Sequence, residues 1–129
     1  IYQCDWSSDV CSSDLACAVA RRALSLTAQD DCRADRERIQ VAHERFSEEL
    51  RGSTKVSEPR VFGTILAFNL TGGSGSGYLS SAAKGVTQFF LERGVLLRPL
   101  GDVLYVLPPY CTTDTELERI YGAIREFLE

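Results

Sequence analysis

A ten-residue apolar run from Val61 to Leu70, preceded by Pro59 and followed by glycines at 72, 73, 75 and 77, constrains this chain more than any other stretch. It is rich in β-branched and aromatic residues and contains one interior glycine, Gly63. Its length and its boundaries suit a buried strand better than a helix. A strand of this kind needs partners and a cover, and the flanking sequence supplies both.

Helical signals stand on either side of the run. Ala16 to Leu26 holds six alanines or leucines together with Val19, which reads as a nearly all-apolar helix that requires burial on most sides. A second helix is expected over Asp31 to Arg51. Ile39, His43, Phe46 and Leu50 recur there at helical spacing, and Gly52 marks its end. Leu79 to Arg93 reads as a third helix with Ala82, Val86, Phe89 and Phe90 inward, and Gly94 occupies the usual stop position. Val95 to Arg98 and Val103 to Leu107 are two further strand candidates, joined through Pro99-Leu100-Gly101-Asp102 as a hairpin. Thr113-Asp114-Thr115-Glu116 is a capping box, so the last helix starts there and buries Leu117, Ile120, Tyr121, Ile124 and Leu128. The expected class is α+β: a three-stranded antiparallel sheet with helices packed on one face. The Ala16 to Leu26 helix has no cover within that layer, which implies a larger neighbouring domain.

A chain of 129 residues has room for one core. Its net charge of −4 argues against a nucleic-acid partner, which a basic face would attract. No apolar run approaches the roughly 20 residues of a spanning helix, so no membrane role is expected. Five cysteines at irregular spacing fit free thiols in a reducing cytosol better than a disulfide framework or a zinc site. Residues 4–15, CDWSSDVCSSDL, show no amphipathic period and no targeting signal, and they match one reading frame of a sequencing-adapter oligonucleotide. Residues 1–15 are therefore expected to be unpacked, with a small domain over 16–129.

Other features carry less. The glycines at 72, 73, 75 and 77 suggest a phosphate-cradling loop, but Tyr78 stands where a P-loop requires lysine, so a flexible connection is expected. His43 has no histidine partner and reads as structural rather than as a metal ligand.

The stretch GVLLRPLGDVLYVLPPYCTTDTELERIY, residues 94–121, resembles the C-terminal end of the adenosylmethionine-8-amino-7-oxononanoate aminotransferases, a branch of the class III aminotransferases. Arg98-Pro99, Gly101, Tyr105 and Pro108-Pro109-Tyr110 carry the likeness, which extends more weakly over residues 15–129. The resemblance implies the small C-terminal domain of a fold-type I enzyme that uses pyridoxal phosphate and acts as a homodimer. Its reaction moves an amino group from S-adenosylmethionine, or from lysine, to 8-amino-7-oxononanoate in biotin synthesis. It also implies that Arg98 binds the substrate carboxylate, a use that suits a planar guanidinium fork held extended by the following proline. Tyr105 is expected opposite Arg98 on the hairpin, lining the same pocket. A structural role is favoured for Tyr110. The chain's two lysines, Lys55 and Lys84, match no cofactor-lysine segment of the family, so that lysine and the large cofactor-binding domain are expected upstream. Two other readings stay open at this point: another class III aminotransferase, or a self-standing module that binds an acidic ligand.

Overall fold

The computed structural model describes residues 10–71 and 81–129, with side chains at 14–71 and 85–129. The chain divides into two compact units, Ile1–Ala34 and Asp35–Glu129. In the first, helix α1 runs from Val10 to Thr27, six residues earlier than the expected start at Ala16. The backbone of residues 10–15 is thus helical rather than unstructured, because lengthening an existing helix needs no new nucleus. The remainder of the segment expected to be unpacked lies outside the described residues. Val19 and Leu24, for which burial was expected, are 63% and 70% exposed. The Thr27 hydroxyl and the Ala28 N–H both donate to Leu24 O and close the helix. Helix α2, Asp30–Leu50, follows, with Asp30 and Asp31 at its positive end, and continues into the second unit.

The second unit contains strands β1 (Val56–Phe62) and β2 (Ile65–Leu70), helix α3 (Ser81–Glu92), strand β3 (Val103–Val106) and helix α4 (Asp114–Leu128). The strands form one antiparallel sheet in the order β1-β2-β3. The class is as expected, but two of its strands are not the ones the sequence suggested.

First, the apolar run is not one strand. It breaks at Gly63, whose φ of +56° places it at the first central position of a two-residue turn closed by the Phe62–Ile65 pair. Such a turn matches the natural twist of a hairpin and favours glycine at that position. The incoming strand reaches back to Val56 through Pro59, a residue that argues against a central strand. Here β1 is an edge strand with a bulge, since Ser57 pairs with Asn69 but Arg60 with Ala67, leaving one extra residue in β1. Glu58 sits in the bulge with φ +52°, a conformation costing about 1–2 kcal/mol for a non-glycine residue. Arg60 donates to its carbonyl and the Asn69 amide to its carboxylate, which hold it there.

Second, Val95 to Arg98 joins no ladder. Only Leu100 and Val103 bridge, exchanging hydrogen bonds of 2.8 and 3.1 Å around Gly101-Asp102. Pro99 has no N–H with which to extend the pairing. The segment remains extended, with Val95 and Leu97 buried and Leu96 and Arg98 exposed, but its backbone stands apart from β3.

The core fills the space between one face of the sheet and the helices. Leu66, Phe68, Leu104 and Val106 point inward from the strands and meet Ile39, Phe46 and Leu50 of α2, Phe90 of α3, and Leu117, Tyr121 and Ile124 of α4. At its centre the Tyr121 ring stacks on Phe46 at 4.3 Å between centroids, and its hydroxyl lies 2.7 Å from His43 Nδ1. His43 Nε2 is 3.1 Å from Thr64 O in the β1–β2 turn. A carbonyl can only accept, so Nε2 carries the proton and Nδ1 accepts from the tyrosine. His43 is structural, as expected.

Tyr121→Phe keeps the stacking but leaves a buried imidazole nitrogen without a donor. It should destabilise the protein by about 1–2 kcal/mol in urea denaturation. Burial pushes the His43 pKa down against a weaker opposing effect of Thr64 O, so the unfolded state binds more protons. Stability should fall as pH drops below about 6.5, the ordinary imidazole value. His43→Gln should flatten that part of the profile, and an unchanged slope between about pH 6.5 and 5 would contradict this account.

Candidate functional site

The main candidate groove is built by the failure of Val95 to Arg98 to pair. Helix α3 ends in a Schellman motif, in which Val95 N–H donates to Phe90 O and Gly94 N–H to Leu91 O, both at 2.9 Å. Gly94, at φ +71°, turns the chain into the extended segment that carries Arg98. This segment forms one wall. The end of β3 and the prolines that follow it form another, and the first two turns of α4 complete a cavity of about 520 Å³. A fully hydrogen-bonded hairpin would have closed the space between these walls.

Arg98 and Tyr105 both line this groove, so the structure brings the two predicted site residues together, although not as a cross-strand pair. Tyr105 lies on the sheet face opposite the core, paired with Ala67, and is 39% exposed. Arg98 is exposed and, among the described residues, has neither a hydrogen-bond nor an ion-pair partner. Tyr110 is not a lining residue; it lies outside the groove beneath the guanidinium of Arg36, 5.6 Å from its ring centre.

Three lining residues were not predicted as site residues, although Glu116 was read as the glutamate of a capping box. Glu116 faces the groove, but its carboxylate is engaged by the Thr113 N–H at 2.8 Å and by the Thr113 hydroxyl, which hold its pKa below the usual range. Arg119, one turn further along α4, donates from Nη2 to Arg93 O at 2.9 Å. Its guanidinium rests against Gly94 so closely that a Cβ there would lie 2.5 Å from Nη2. Thr112 is held from behind by Arg38, which donates to Thr112 O at 2.7 Å and bridges Asp35 and Asp114. The capping box indicates that positions 116 and 119 share a helix face. Nothing local indicates what that face meets.

The groove therefore offers an unpaired guanidinium, a phenol and apolar walls, an arrangement that suits a small molecule with a carboxylate at one end. No lysine lines it, and Lys55 lies elsewhere, donating to Glu129 O at 2.7 Å. These residues alone do not make a site for pyridoxal phosphate. Among the described residues no group of three or more His, Cys, Asp or Glu side chains is placed to hold a metal, and no helix is long and apolar enough to cross a membrane.

Comparison with known proteins places this geometry. The chain is 43% identical over 118 residues to adenosylmethionine-8-amino-7-oxononanoate aminotransferase of Synechococcus elongatus, an alignment covering 92% of this chain and 27% of that protein. The chain thus spans about a quarter of the relative's length. The solved enzyme of the same name from Methanocaldococcus jannaschii superposes with a TM-score of 0.68 at 22% identity, covering 85% of this chain and 27% of that one. A PMP-bound aminotransferase from Vibrio fluvialis gives 0.72 at 18% identity, covering 85% and 25%. These two likenesses speak for the fold. A family profile described as Aminotransferase class-III matches residues 11–128. The chain belongs to the class-III aminotransferases.

Proposed function

We propose that this chain is the C-terminal part of a pyridoxal-phosphate-dependent aminotransferase of biotin synthesis, and that its groove receives 8-amino-7-oxononanoate through Arg98. The single observation carrying this reading is the unpaired Arg98 guanidinium beside Tyr105 in an apolar-walled groove. It is supported by 43% identity to a relative named for that substrate. When bound, the cofactor supplies the electron sink for amino-group transfer. Its lysine and its principal contacts belong to the portion of the enzyme that precedes this segment. The amino donor is S-adenosylmethionine or lysine, and the intact enzyme acts as a homodimer in the cytosol.

Within that scheme, the residues of this chain bind and orient. Arg98 forms a charge-assisted fork with the substrate carboxylate, and Pro99 keeps its backbone extended so that the fork faces the groove. Tyr105 packs its ring along the substrate chain and offers its hydroxyl as a donor. Leu107 and Pro108 supply apolar wall against which the methylene chain of the substrate lies.

In the full-length enzyme, Arg98→Ala should remove an interaction worth about 1.5–3 kcal/mol. It should therefore lower kcat/KM for the oxononanoate roughly ten- to a hundredfold. Arg98→Lys should recover part of the loss, since an ammonium keeps the charge without the planar fork. Cofactor absorbance should be retained in both variants, because neither touches the cofactor's own contacts. Unchanged steady-state kinetics in Arg98→Ala would remove the assignment. The 129-residue chain by itself should show only background amino transfer. Activity lost on substituting Lys55 or Lys84 would overturn the placement of the cofactor lysine.

A further inference from the structure

Arg98 projects from a segment that the sheet does not hold. Among the described residues, no backbone–backbone hydrogen bond involves Leu96, Leu97 or Arg98. The direction of Arg98 therefore depends on the two buried side chains before it, Val95 and Leu97, and on the turn at Gly94 from which the segment departs.

That turn is held from α4. Arg119 Nη2 donates to Arg93 O, a carbonyl that the end of helix α3 leaves without an intrahelical partner. A cation is favoured at this negative helix end. The guanidinium occupies the space above Gly94 that any Cβ would enter, so the absence of a side chain there serves both the left-handed φ and the seat of Arg119. Among the described residues Arg119 has no carboxylate partner to draw it away.

We propose that Arg119 is the positioning residue of the carboxylate-binding arginine: seated on Gly94 and bonded to Arg93 O, it sets the course of residues 94–98 and hence the aim of Arg98. The inference rests on the reading of Arg98 given above. Arg119 acts through the backbone rather than through contact with the substrate.

The test is steady-state kinetics of the full-length holoenzyme with 8-amino-7-oxononanoate and with its methyl ester, which keeps the chain but lacks the charge. The quantity read is the ratio of the two kcat/KM values. Arg98→Ala should abolish most of the preference for the acid; failure to do so overturns the reading of Arg98 and this inference with it. With that effect in place, Arg119→Ala should reduce the preference roughly three- to tenfold, within the roughly hundredfold that a displacement of about 1 Å can cost. Gly94→Ala, which expels the guanidinium from its seat, should do the same. Arg119→Lys, which keeps a donor for Arg93 O, should retain at least half of the preference; a lysine variant no better than alanine counts against the carbonyl contact and overturns the inference. In the Arg98→Ala background, Arg119→Ala should change the ratio no further. Additive losses would mean that Arg119 meets the substrate independently and would overturn the positioning role, as would a loss of thermal stability with the preference intact.

Discussion

Tyr121 is the side chain on which three elements converge. Its ring stacks on Phe46 of α2, and its hydroxyl engages His43, whose other nitrogen holds Thr64 in the β1–β2 turn. One residue of α4 thus fixes a helix and, through a single imidazole, the tip of a hairpin. A buried phenol and a buried imidazole are each costly to leave unsatisfied, so their pairing is stringent in geometry as well as favourable in energy. Once α4 is seated this way, its first two turns are committed to face the segment after α3, and the groove follows from that.

The groove is a consequence of what the backbone does not do. Two extended segments leave the turn at Gly101, yet only Leu100 and Val103 pair. Elsewhere the walls are held by arginines donating to main-chain carbonyls, Arg38 to Thr112 O and Arg119 to Arg93 O. Two other arginines of the unit are tied to carboxylates: Arg93 forms a fork with Glu126, and Arg125 bridges Glu49 and Glu118. Arg98, without a partner among the described residues, lies on the groove wall with capacity left for a ligand.

Exposed apolar residues occur in both units. Leu15, Val19 and Leu24 on α1, and Phe62 at the hairpin tip, present side chains that an isolated small protein has little reason to expose. In the proposed longer enzyme such surfaces meet the remainder of the chain or a second copy. On the proposed reading, the chemistry of amino transfer belongs to that whole and this segment contributes recognition of the substrate's acidic end.

The helices were legible from local signals because each signal acts within a turn or two of backbone. The capping box at Thr113–Glu116 starts α4, Gly94 ends α3 one residue beyond its cap, and Ile39, His43, Phe46 and Leu50 define the buried face of α2. Arg98 and Tyr105, singled out through the family resemblance, both line the groove. The sheet was not. An apolar run has no internal sign that Gly63 folds it back on itself, and the polar alternation of Val56 to Arg60 hid an edge strand whose bulge accommodates Pro59. Strand pairing is a contact between distant residues, and hydrophobic pattern alone does not choose among partners. For the same reason only the tertiary structure placed Glu116 and Arg119 in the groove: the sequence determined that they share a face of α4, while the packing of Tyr121 against His43 and Phe46 decided what that face would meet.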